Sequence, residues 1–111
     1  MKIWTSDHAD ERFSKFILAR DLLCFFGCGK KPTDNSHYWN RGNSATRYDP
    51  DNCDGACREC HTLYGEDKKG LYKTLKIRQL GLRAFEALER KARGTMKRDS
   101  AILQCMALLG A

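Results

Sequence analysis

The stretch that decides the fold runs from Cys24 to His61 and reads CFFGCGKKPTDNSHYWNRGNSATRYDPDNCDGACRECH. Two cysteine pairs bracket it, Cys24 with Cys28 and Cys57 with Cys60. Gly27 and Gly29 allow the tight backbone turns that bring neighbouring thiolates onto one ion, and Pro32 discourages a helix there. Both cysteine spacings lie in the usual range for zinc ligands. The spacing predicts a closed four-thiolate zinc site, which is structural because no coordination position is left for substrate. Cys53 is an alternative ligand to Cys57; its simpler reading is a small buried apolar residue. Cys105 falls on the apolar stripe of the last expected helix and reads as core.

The chain has 111 residues and six cysteines. That length suits one domain, 1–111, with a modest core that a metal staple would support. The start, MKIWTSDHADERF, lacks an apolar run after a basic segment and does not read as a signal peptide. No stretch reaches the roughly 20 apolar residues of a membrane span. The expected location is the cytoplasm, with no membrane partner, where paired cysteines hold zinc more often than they form disulfides. A secreted disulfide protein is the lowest-ranked alternative.

Outward from the central stretch the chain reads as helical on both sides. Residues 6–23 place Phe13, Phe16, Ile17 and Arg20 at i, i+3, i+4 and i+7, with Thr5 or Ser6 as cap. Within the centre, the aromatic and β-branched residues predict short strands at 36–39 and 45–48, joined by the turn chemistry of NRGNS. A short helix is expected from about 55–57 to 64. Beyond it, Leu71, Leu75 and Ile77 mark a helix ended by Gly81. Leu82, Phe85, Leu88 and Ala92 mark the next, halted at Gly94. Thr95 is the expected cap of the last, whose stripe is Ile102, Cys105, Met106 and Leu109. The organisation is thus a helix at 6–23, a zinc-stapled core at 24–66 and a basic helical extension at 67–110, an α+β fold.

The net charge of +6 is unevenly placed. Residues 68–98 hold eleven Lys and Arg against Glu86 and Glu89, a local net of +9, which leaves −3 for the remainder. This asymmetry suits a polyanion, of which nucleic acid is the commonest, and makes Lys68, Lys69, Lys73 and Lys76 candidate DNA contacts. A set of solvated helix faces explains the same charges equally well.

His37, Asn52 and His61 lie between and beside the cysteine pairs, on an expected strand, loop and helix. In that order and enclosure the chain resembles the HNH endonucleases with their ββα-metal fold. It is further similar to phage recombination endonucleases of the NinG/Rap type in FSKFILARD (13–21), SHYWNRG (36–42), RYDPDN (47–52), the C-x2-C of 57–60 and the Tyr72–Leu88 stretch with IRQLG at 77–81. The resemblance covers roughly residues 12–90 and implies a bacterial host cytoplasm.

The resemblance implies roles. His37 would be the general base, Asn52 would orient the strand bearing it, and His61 would bind a catalytic divalent cation, Mg2+ or Mn2+. Arg41 and Arg47 would contact phosphates, or stand as exposed surface charges. One position departs from the pattern: Ser36 stands directly before His37, where HNH enzymes often carry a second metal ligand. Asp34 or Glu66 is a substitute carboxylate, whereas Gly65, one turn after His61, carries no side chain. The expected function is metal-dependent hydrolysis of DNA phosphodiesters, on branched or single-stranded recombination intermediates. The alternative is a non-catalytic zinc module that binds DNA or a protein partner.

Overall fold

The computed structural model describes residues 2–111. Helix α1 spans Ser6–Arg20, and the Thr5 hydroxyl accepts the His8 N–H at 3.2 Å, satisfying one of the free amides at its start. Ala9, Phe13 and Ile17 form its buried stripe and pack against Ala101, Ile102, Cys105 and Met106 of the last helix, α5 (Arg98–Leu108). Full burial of a side chain such as Phe13 or Ile17 contributes about 1.5–3 kcal/mol. Phe16 instead remains 36% exposed. The helix stops at Arg20 rather than 23, because Asp21 turns extended (φ −100°, ψ 101°). The Arg20 guanidinium donates to the carbonyls of Pro50 (2.9 Å) and Cys53 (2.6 Å) and pairs with Asp21.

The sheet has two antiparallel strands, β1 (Asp34–His37) and β2 (Cys53–Ala56), with Asp34 opposite Ala56 and His37 opposite Cys53. This corrects the strands expected at 36–39 and 45–48. The first begins two residues earlier, and the second lies beyond Asn52. Residues 45–48 are turns whose aromatic residue serves the core instead, the Tyr48 ring meeting Phe13 edge-on at 5.6 Å. Gly55 is required where β2 passes the end of α1: an added Cβ would lie 3.0 Å from both Asp21 Cβ and Pro32 Cβ. Its N–H donates to the Asp21 carboxylate at 2.7 Å.

The connection from β1 to β2 is closed by a turn of 3-10 helix at Pro50–Asn52. After β2 come α2 (Arg58–Thr62), a π-helical turn (Leu63–Asp67), α3 (Lys69–Leu80) and α4 (Leu82–Arg93). Gly81, at φ 84°, ends α3 as expected. The inward residues of α3 differ from expectation in part: Ile77 packs half-buried against Tyr38, Tyr72 and Phe85 as expected. Leu71 is 51% exposed, while Tyr72 and Lys76 are fully buried. On α4, Phe85, Leu88 and Ala92 are buried and Leu82 is exposed. Helix α5 begins after Lys97, two residues past the expected cap Thr95.

Lys76 is buried because a carboxylate waits for it. Asp54 of β2, also fully buried, stands 3.2 Å from the ammonium and accepts the Tyr72 hydroxyl at 2.8 Å. Gln79 accepts from Lys76 at 2.7 Å and donates to Asp54 at 3.3 Å, completing a polar knot between sheet and α3. Burial pushes the Asp54 carboxyl up, against the opposing pull of Lys76 and Tyr72. A second, aromatic core adjoins it, with Tyr38, Tyr72 and Phe85 at its centre and Phe25, Phe26 and Tyr64 around them. Among the described residues no helix is long and apolar enough to cross a membrane.

Candidate metal centre and adjoining cleft

Cys24, Cys28, Cys57 and Cys60 converge, with all four sulfurs within 4.8 Å of one another. Cys28 Sγ and Cys57 Sγ are 3.6 Å apart. Sulfurs about 2.3 Å from a shared zinc at tetrahedral angles stand about 3.8 Å apart, so this group is close to ligand geometry as it stands. Gly27 and Gly29 take φ of 79° and 82°, the left-handed turns that fold the first pair back on itself. Two backbone amides point at sulfur: Cys57 N–H at Cys24 and Cys60 N–H at Cys57, both at 3.4 Å. The Lys30 amide draws the Cys28 thiol down to about 7, whereas burial pushes Cys24 and Cys60 up. Burial thus opposes ionising Cys24 and Cys60, an opposition that a cation among the sulfurs would offset. The cluster could hold a metal ion such as zinc. Cys53 stands outside it, buried in β2, and Cys105 lies in the helical core.

Beside this centre an open cleft of about 730 Å³ is lined by His37, Trp39, Arg41, His61, Glu66 and Lys69, with Ser36 in its wall. His37 sits at the end of β1, and its Nε2 lies 3.1 Å from the Arg47 carbonyl oxygen. A carbonyl has no proton to give, so this contact favours the neutral ring with its hydrogen on Nε2 and Nδ1 as the basic nitrogen, the Asn35 backbone being the weaker of the two backbone partners. Burial holds this imidazole at about 4, helped by Arg41 and opposed by the Arg47 hydrogen bond, Asp10 and the backbone of Asn35. His37 is thus neutral at pH 7.

Asn52 is fully buried behind the cleft and does not line it. Its Oδ1 accepts the Trp39 N–H at 2.8 Å, and its Nδ2 donates to the carbonyls of Trp39 (2.9 Å) and Thr46 (3.2 Å). One side chain so ties both ends of the 38–52 excursion to the strand that ends in His37.

His61 is placed by the cysteines. Cys57 is the N-cap of α2, its sulfur accepting the Cys60 N–H, and His61 follows within one turn. His61 Nδ1 lies 2.9 Å from Asp34 Oδ2, which leaves its other nitrogen unengaged by that bond. Asp34 is therefore committed to His61 and to Arg58 (2.6 Å), and is absent from the cleft lining. The π-helical turn, where Lys68 N–H reaches back five residues to Leu63 O at 2.9 Å, changes which later residue joins His61. Both Gly65 and Glu66 reach the cleft, and Glu66 is the one with a carboxylate.

The cationic candidates separate into used and free. Arg47 is bound by the Asp10 carboxylate through Nε (3.0 Å) and Nη2 (2.6 Å), so it is not a free phosphate contact. Lys76, buried against Asp54, is not one either. Arg41 is largely exposed on the cleft rim, 3.4 Å from Asp10. Lys69 is half-buried; its ammonium donates to the Tyr38 carbonyl and lies over the Tyr38 and Tyr72 rings at 4.4 and 5.0 Å. Burial lowers its pKa. Lys68 and Lys73 are exposed, as are Arg83, Arg90, Arg93, Lys97 and Arg98 along α4 and the start of α5.

Among the described residues, Asn35 Oδ1 and Ser36 Oγ of β1 and Trp39 Nε1 just beyond it are buried without a partner. Ser36 pairs across the sheet with Asp54, in the most enclosed part of the fold. Comparison with protein-family models, with curated proteins and with solved structures finds no match for the chain.

Proposed function

We propose that this protein is a metal-dependent DNA endonuclease of the HNH kind, its ββα unit formed by β1, β2 and α2 and held by zinc on the four cysteines. The observation that carries the reading is the cleft that His37 and His61 both line, with Asn52 clamping the chain behind it. His37 Nδ1 takes a proton from water as its oxygen attacks phosphorus, and the bond to the 3′ oxygen breaks. Because the imidazole is neutral at pH 7, it is ready to accept that proton.

The donors beside the cleft suit Mg2+ or Mn2+ in part. Among the described residues only the cysteines gather three or more ligand atoms, so His61 and Glu66 would hold the catalytic ion together with water and substrate phosphate. Once bound, such an ion neutralises charge on the phosphate and on the leaving oxygen. Arg41 and Lys69 supply fixed positive charge at the same cleft, while Lys68, Lys73 and the exposed arginines of α4 hold the flanking DNA backbone. With no base-reading element evident, the substrate class is DNA of a given shape, branched or single-stranded, rather than a given sequence.

The test is incubation of supercoiled plasmid and a synthetic four-way junction with the zinc-loaded protein, with and without Mg2+ or Mn2+. Metal-dependent nicking that His37→Ala abolishes, with zinc content and folding intact, supports the enzyme. A second reading, a zinc module that binds DNA or a protein without cutting, is favoured by Ser36, which puts a buried hydroxyl where a carboxylate ligand would strengthen the metal site. Binding without cleavage under any divalent ion would select it.

A further inference from the structure

We infer that Asp10, on α1, is a positioning residue for His37, fixing its tautomer and orientation by pinning Arg47. The inference rests on His37 as the base only for its catalytic consequence; the tautomer itself is a property of the fold. The Arg47 carbonyl is the acceptor that holds the imidazole Nε2–H, yet it belongs to a stretch of turns with no strand on either side. Asn52 holds that stretch at the Thr46 carbonyl (3.2 Å), and the Arg47 side chain holds it to α1, gripped by both oxygens of Asp10 at 3.0 and 2.6 Å. The next residue adds a third bond to the same carboxylate, the Tyr48 hydroxyl donating at 2.8 Å. The Tyr48 ring rests edge-on against Phe13, one helical turn beyond Asp10. Helix α1 thus supplies a charged grip and an apolar seat for two consecutive residues, and the carbonyl between them is oriented as a result.

The carboxylate is suited to this work. Burial raises its pKa, but the bonds from Arg47 and Tyr48 and the charges of Arg47 and Arg41 outweigh it, so Asp10 stays ionised. Two-pronged pairing with a planar guanidinium restricts both partners in a way a single contact does not. A small cavity between α1 and β1 is bounded by Asp10, His37 and Arg41, so the ring has room to turn if its carbonyl moves. The other groups facing it are the Asn35 backbone on its own strand and Cys53 across the sheet. A shift of the Arg47 carbonyl would let the proton settle on Nδ1, and His37 would then present no base to the cleft.

The experiment uses the full zinc-loaded chain labelled with 15N-histidine. Long-range 1H–15N spectra at pH 7 read the His37 tautomer in wild type, in Asp10→Asn and in Arg47→Lys. The expected wild-type ring is the Nε2–H tautomer, and both variants are expected to show a mixture or the opposite form. Arg47→Lys keeps the charge but cannot make the two-pronged pair, so it carries the test if Asp10→Asn fails to fold. Wild-type tautomer in a folded Arg47→Lys overturns the inference. In nicking assays Asp10→Asn is expected to lower kcat on the order of tenfold or more with KM little changed. If wild type does not nick but the variants change tautomer, the nuclease reading falls and the positioning role stands.

Discussion

The amide of His61 donates to the carbonyl of Cys57 at 2.9 Å, so a metal-site cysteine and a cleft histidine share one turn of α2. That helix has five residues, too few to be stable alone, and depends on what caps and anchors it. The four-cysteine cluster therefore shares its anchoring helix with the cleft.

Removal of the metal should act on both. Chelation, or Cys60→Ser, is expected to disorder α2 and to reduce stability by several kcal/mol, because metal binding and folding are linked. Zinc stoichiometry of one per chain by elemental analysis, with loss of near-ultraviolet dichroism on chelation, checks it. Full retention of structure in metal-free protein would remove the role.

His37→Ala is expected to lower nicking by about 10²–10⁴-fold. The pH profile adds a sign. On the nuclease reading the base works deprotonated, and burial holds His37 at about 4, so its protonation is expected not to limit activity between pH 5 and 8. A decline centred near 6.5, the ordinary histidine value, would contradict this. Stability follows the same shift: the unfolded ring binds a proton below about 6.5 and the folded ring resists it until about 4, so this contribution is present above 6.5 and fades as pH falls through that window.

Asn52→Ala would leave the Trp39 N–H and the Trp39 carbonyl without the partner that a fully buried side chain gives them, while the Thr46 carbonyl keeps the Asp49 N–H at 3.1 Å. A loss of about 2–4 kcal/mol is expected, each orphaned group costing about 1–3 kcal/mol before relaxation. Denaturant titration measures it, and a change under 1 kcal/mol would mean that water or a neighbour replaces the amide.

Lys76→Met separates a buried lysine from a DNA contact. Leaving Asp54 unpaired is expected to cost about 3–5 kcal/mol in stability. DNA affinity of the folded fraction, and its salt dependence, should be unchanged. Lys73→Ala should do the reverse, with little effect on stability and a salt slope shallower by about 0.7–0.9. Equal slopes for wild type and Lys73→Ala would remove that residue from the interface.

The helices and the cysteine set were legible because their signals are local. Phe13 and Ile17 of the expected stripe are buried while Phe16 and Arg20 are not, Gly81 ends α3, and paired cysteines announce one another. The strands were not. DNSH and CDGA carry little β propensity; α1 packs against both strands, and Tyr72 and Lys76 of α3 reach Asp54 of β2. The aromatic residues that promised strands, Tyr38 and Tyr48, go instead into the two cores. Lys76 and Arg47 misled for one reason: a cation looks exposed until its carboxylate is found, and Asp54 and Asp10 lie 22 and 37 residues away in sequence. Glu66 was legible as a carboxylate near His61, but its place in the cleft depends on a π-helical turn that composition does not announce.

The nesting of the sheet inside the cysteine set has a kinetic consequence. The paired strands begin and end at Asp34 and Ala56, within the span from Cys24 to Cys60. An ion that captures one cysteine from each pair closes most of the loop that strand pairing must close, and loop-closure entropy grows only slowly with length, so the second closure is nearly complete once the first is made. Refolding from denaturant should then accelerate with free zinc up to saturation, and hairpin formation should follow ion capture rather than precede it.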